Sequence, residues 1–148
     1  MFPKSFTYKI LEYSKYYKTF SGVLMVRTVE YEYLVSMKLV SGRKYKSDLS
    51  DIAGIIYEKN IEGNPLSFEK IDKAVCNLYG NWDLISNEKI AVLKRILNSS
   101  SYKIILDELH DEQLYSKTVL TEVIENKVEV VNSDNVNDVI SAAIQKKE

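Results

Sequence analysis

GVLMVRTV, Gly22 to Val29, has the β-branched apolar content of a buried strand and is the clearest strand in the chain. Apolar residues otherwise recur mostly at helical spacing, with KVEVV (127–131) a short edge strand or a connector. That imbalance constrains the fold more than any other feature. A lone strand exposes a row of backbone N–H and C=O groups that it cannot pair by itself. Its partner has to come from the first twenty residues, from KVEVV (127–131), or from another chain. The expected architecture is mainly α with a small β component (α+β). A polar-aromatic arm or short helix occupies 1–20, a buried strand 22–29 and helices 30–148, in a single domain.

The helical part is punctuated by turn chemistry. Glu30 to Val40 reads as a helix that is apolar on most sides and ends at Gly42. Ser47 is a suitable N-cap for the next helix, with Leu49, Ile52 and Ile56 on one face. EKNIEGNPL (58–66) reads as a loop, and Ser67 caps a helix carrying Phe68, Ile71, Val75 and Leu78, stopped by Gly80. Cys76 falls on what reads as its buried face. A helix follows from about Asn87 to Leu97, then stripes at Tyr102, Ile105, Leu106 and Leu109 and at Leu120, Val123 and Ile124. Asp134 is placed to cap a closing helix with Val136, Val139, Ile140 and Ala143 inward.

Composition removes several function classes. No apolar run approaches the ~20 residues of a membrane span, and MFPKSFTYK lacks a secretory apolar segment. With one cysteine, Cys76, an internal disulfide is impossible, and a reducing, cytoplasmic setting is expected. One histidine, His110, within DELHDE gives no basis for a zinc, haem or iron–sulfur site, or for a serine or cysteine triad. Neither GxxxxGK[ST] nor GxGxxG occurs. Glu30 and Glu32 could touch a magnesium ion, or could simply favour a helix start.

The charge is uneven. Residues 1–50 hold nine Lys/Arg against four Asp/Glu, a balance of +5; residues 101–148 hold five against ten, a balance of −5. The two ends could attract each other within or between copies, or the front could meet a polyanion. Six of eleven tyrosines occur by position 33, where they could cover a core or a contact surface, or stack on bases. The modest basic excess and the lack of an aromatic strand repeat rank nucleic acid last among the partners.

One elbow concentrates charge. SMKLVSGRKYKSDLSDIAGII (36–56) places Lys38 in an apolar helix, Arg43, Lys44 and Lys46 in the turn, and Asp48 and Asp51 in the next helix's first turn. A lysine at Lys38 must snorkel, pair with a carboxylate or reach a ligand. Two arrangements remain open. Lys38 or Arg43 is neutralised by Asp48 or Asp51 as an internal brace, or the cations face a phosphate chain while an aspartate orients them.

YEYLVSMKLVSGRKYKSDLSDIAGII resembles the C-terminal signature of a nucleotidyltransferase-like family of the polymerase-β-type superfamily, related to abortive-infection toxin nucleotidyltransferases. The resemblance rests on Val26-Arg27-Thr28, Glu32, Lys38, Gly42, Arg43, Lys46, Asp48 and Asp51. It extends to SKYYKTFSGVL, AVCNLYGNWDLIS and SDNVNDVISAA, and so covers nearly the whole chain. It implies the helical C-terminal part of such a fold. Lys38, Arg43, Lys46 and Arg27 would contact nucleotide phosphates, and Asp48 and Asp51 would support those cations. The family's Gly-Ser followed by Asp-x-Asp is absent here. The resemblance therefore assigns no catalytic residue and no metal ligand to this chain, and implies magnesium only in a complete enzyme. A truncated enzyme, or a subunit completed by a separate catalytic-half protein, is expected, with a nucleoside triphosphate as ligand. The other expectation is a non-enzymatic homo-oligomerising or interaction module.

Overall fold

The computed structural model describes residues 9–125 and 131–146. The fold is mainly helical with one small sheet. Two strands, β1 (Ser14–Phe20) and β2 (Leu24–Val29), lead into α1 (Tyr31–Ser41), α2 (Asp48–Ile61), α3 (Phe68–Tyr79), α4 (Asn87–Leu97), α5 (Tyr102–Glu125) and α6 (Val136–Gln145). Residues 9–12 form one further helical turn. No helix among the described residues is long and apolar enough to cross a membrane.

The arm supplies the missing strand. β1 pairs antiparallel with β2, from Ser14 opposite Val29 to Phe20 opposite Leu24, with a bulge between Tyr16 and Lys18. The aromatic and β-branched residues of SKYYKTF suit a pleated surface, so the arm is strand where a loose segment or helix was expected. Ser21 (φ 51°) and Gly22 (φ 69°) are both left-handed, as the tight primed hairpin turns require, and Val23 N–H donates to Phe20 O at 3.1 Å. The strand expected to be buried is mostly exposed, because no layer covers the hairpin among the described residues. KVEVV, the other candidate partner, lies almost entirely outside the described residues.

The helices enclose the core. Val35 and Leu39 of α1, Ile52 and Ile56 of α2, Ile71 and Val75 of α3, Leu93 and Ile96 of α4 and Ile105 and Leu109 of α5 meet in one cluster. Each such aliphatic side chain, moved from water into this interior, contributes about 1.5–3 kcal/mol. α6 packs on α5 through Val136, Val139 and Ile140. A smaller cluster of Tyr33, Ala74 and Leu78 seats the base of the hairpin, where Tyr13 stacks on Tyr33 at 4.1 Å between centroids.

Three local readings are corrected. α2 continues through Ile61, so the loop begins four residues later than its composition implied. Its end is tied down by Lys59, which is buried, pairs with Glu62 and lies 3.6 Å over the Tyr31 ring. Cys76 is exposed, because α3 turns Ile71, Ala74, Val75 and Leu78 inward and leaves residue 76 outside that stripe. The closing helix is entered from Asn135 rather than Asp134; Asn132 Oδ1 instead accepts from the N–H groups of both residues and turns the chain.

Candidate functional site: the elbow and the cavity beside it

The elbow is built by the end of one helix and the start of the next. α1 stops at Gly42, which adopts the left-handed conformation (φ 36°, ψ 48°) and donates its N–H to Lys38 O at 2.7 Å. Five residues later Ser47 stands at the N-cap position of α2, but its hydroxyl donates to Asp51 Oδ2 at 3.1 Å and does not cap the helix. The short turn brings the charged side chains of both helices within bonding distance.

Asp48 is the centre of the arrangement and is buried. Its Oδ2 accepts from Arg43 Nε at 3.0 Å, Arg43 N–H at 3.1 Å and Ser41 Oγ at 3.1 Å. Burial opposes the charged form, but the side-chain and backbone donations of Arg43 and the Ser41 hydroxyl outweigh it, and the carboxyl is held below its ordinary value. Lys38 Nζ donates to Asp51 Oδ2 at 2.6 Å and lies 3.9 Å from Asp48 Oδ1. The elbow thus contains the internal brace: Lys38 and Arg43, two of the cations expected at phosphate, are occupied by Asp48 and Asp51.

The remaining cations are placed differently. Lys46 is exposed, lies 5.5 Å from its neighbour Tyr45's ring centroid, and has no carboxylate partner among the described residues. Arg27 is not brought to the elbow. It sits in β2, before α1, whose eleven residues separate it from Gly42 by about 16 Å of helix axis. There it donates from Nε to Ser14 Oγ at 2.8 Å and from Nη2 to Ser14 O at 2.6 Å, across the hairpin.

A cavity of about 270 Å³ opens on the other side of the turn, bounded by the elbow, the first turns of α2 and α4, and the faces of α5 and α6. Its apolar wall is Leu49, Val92, Leu109 and Ile144, and its rim holds Arg43, Lys44, Lys46, Glu88 and Glu112. Lys44 is secured to the closing helix: its backbone N–H donates to Asn137 Oδ1 at 3.2 Å and its Nζ to Ser141 Oγ at 3.1 Å. The volume is at the small end of ligand pockets, enough for a compact anionic group with the rest of a ligand over the rim.

Two polar groups in this wall stand out. Lys89 crosses Gly42 so closely that a Cβ there would collide with its Nζ, Cε and Cδ. Its ammonium is half-buried and has no ion-pair or hydrogen-bond partner among the described residues. Desolvation lowers its pKa, aided by Lys44, although Asp48 and Glu88 pull the other way. Gln113 keeps its Oε1 buried with no hydrogen-bond partner among the described residues. The same Gln113, with Ser50, separates this cavity from a wider groove of about 770 Å³ that carries Lys38, Asp51, Asp107 and His110.

Lys89 is the residue sequence reasoning missed. The available signal was a lysine three residues after the Ser86 cap, at the helix end where the dipole disfavours a cation. Glu30 and Glu32, the other acidic pair weighed, stand at the start of α1, and Glu30 accepts an ion pair from Lys15 at 2.9 Å. No group of three or more His, Cys, Asp or Glu among the described residues is placed to hold a metal. Asp48 and Asp51 do not fit a magnesium pair either, since their oxygens already accept from cations and hydroxyls. Comparison of the chain with protein-family models, curated proteins and solved structures returned no match.

Proposed function

We propose that this chain is a phosphate-contacting domain of a cytoplasmic nucleotidyl-transfer system, not catalytic by itself, and that the cavity beside the elbow receives the phosphate groups of a nucleoside triphosphate. The observation that carries the reading is Lys89: an ammonium drawn out of water, without a counter-ion among the described residues, on the wall of a cavity that also meets Lys44 and Lys46. An anion would supply the missing charge and restore the hydrogen bonds that desolvation removed. The resemblance of YEYLVSMKLVSGRKYKSDLSDI to a nucleotidyltransferase-like signature supports nucleotide as the source of that anion. The binding set then moves from Lys38 and Arg43 to Lys44, Lys46 and Lys89. The brace holds the turn in shape, with Arg43 reaching the rim on its exposed side. Magnesium and the transfer step belong to a separate catalytic-half protein.

Calorimetric titration with ATP, GTP, CTP and UTP, each with magnesium, tests this. Binding is expected for the wild type, lost in Lys89→Ala and weakened in Lys46→Ala, with Lys38→Ala retaining it once the protein is shown to be folded. No heat from any nucleotide with folded wild type would sink the reading. A second reading, an interaction module whose elbow is structural only, is favoured by one observation: the apolar, exposed hairpin.

A further inference from the structure

The two edges of the hairpin are not alike. β1 carries Lys15 and Lys18 and is broken by the bulge at Tyr17, both of which blunt an edge against pairing. β2, LMVRTV, is six residues without a bulge, lysine or proline. Its only charge, Arg27, is folded back over β1 by its two hydrogen bonds to Ser14, so the outer side of β2 is uncharged. Val23 is 91% exposed, Leu24 60% and Met25 61%. Among the described residues nothing covers this regular, apolar edge; such an edge is a template for another strand, and a two-stranded sheet alone is marginal in water.

We infer that β2 pairs with β2 of a second copy of this chain, antiparallel about a twofold axis, giving a four-stranded sheet in the order β1-β2-β2-β1. The edge suits itself. With Val26 of one copy opposite Val26 of the other, Leu24 faces Thr28 and Met25 faces Arg27, and no like charges stand directly opposite. Basic charge does not forbid the contact. Lys15 is already paired with Glu30. Lys18 lies on the outer strand, and three inter-strand spacings of ~4.8 Å hold the two β1 strands about 14 Å apart, beyond the ~8 Å screening length at physiological salt. Twofold pairing uses one edge per copy and closes, so it yields a discrete dimer instead of a filament. A six-residue strand falls well short of the ~20–30 residues a side of a standard interface, and the dimer is accordingly weak and reversible.

Sedimentation velocity over protein concentrations from ~1 to ~300 µM tests this at about physiological salt. The expected result is a shift from monomer to dimer. Leu24→Lys and Met25→Lys each place a charge on the edge and raise the dissociation constant at least about tenfold, with the far-ultraviolet spectrum unchanged because neither residue is in the helical core. Lys18→Glu leaves the dimer intact. A wild type that stays monomeric throughout would overturn the inference. So would a dimer indifferent to both edge lysines, or one abolished by Lys18→Glu, which would mark a contact between the basic hairpin and the acidic face of a neighbour's helix.

Discussion

The elbow and the hairpin are made of similar materials and put them to opposite uses. Both carry cations among apolar residues. At the elbow, Asp48 is buried, Lys38 is three-quarters covered, Lys38 meets Asp51 at 2.6 Å and Arg43 meets Asp48 at 3.0 Å. In the hairpin, Lys18 stands in solvent over the Phe20 ring, and the apolar residues around it are exposed. A buried charge is stable only with its partners in place, so the elbow ties structure tightly to sequence. An exposed charge is screened and replaceable, and the hairpin's identity lies in its edge.

That contrast can be broken most directly by truncating apolar groups. Leu39→Ala removes a fully buried side chain beside the elbow and is expected to cost about 2–5 kcal/mol in urea unfolding, whereas Met25→Ala changes global stability by less than about 0.5 kcal/mol. Equal losses would mean that the hairpin is part of the core.

Removing charge gives the next largest difference. Asp48→Ala strands Arg43 and the Ser41 hydroxyl, while Lys38 keeps Asp51, and is expected to cost about 1–3 kcal/mol, discounted because Arg43 is 45% exposed. Arg27→Ala, by the same measurement, costs less than about 1 kcal/mol. Gly42→Ala falls between them at about 1–2 kcal/mol, since the left-handed cap is strained for alanine. The new Cβ also displaces Lys89, so nucleotide binding should fall along with stability.

The smallest effect sharpens the comparison through pH. Asp48 has a folded pKa below its unfolded value near 3.8. Its contribution is therefore fully present above that value and disappears as pH falls through the lower folded one. The stability difference between wild type and Asp48→Asn should be constant near neutrality and shrink below about pH 4. A difference that instead grows on acidification would show that the brace is not ionic.

Much of this was legible before the structure. Helical stripes, the Gly42, Ser67 and Gly80 boundaries and α4 from Asn87 to Leu97 follow from local periodicity and capping, which act over a turn or two of chain. The charged elbow was legible too, because Lys38, Arg43, Asp48 and Asp51 lie within fourteen residues and a short turn leaves them little room to separate. Non-local facts were not. β1 pairing with β2 is a choice among three candidate partners that no local pattern in the chain distinguishes. Cys76 faces outward because of how α3 rotates onto the core, which one residue's chemistry does not encode.

The division follows range. Sequence alone determined a mainly helical chain with one strand in need of a partner and an elbow crowded with opposite charges, since propensity, capping and close charge pairing are properties of neighbours along the chain. Tertiary structure alone decided that Asp48 and Asp51 claim Lys38 and Arg43, and that Lys89, more than forty residues on, comes to lie across Gly42. Only packing sets which charges share a low-dielectric space and which are left to find a partner from outside.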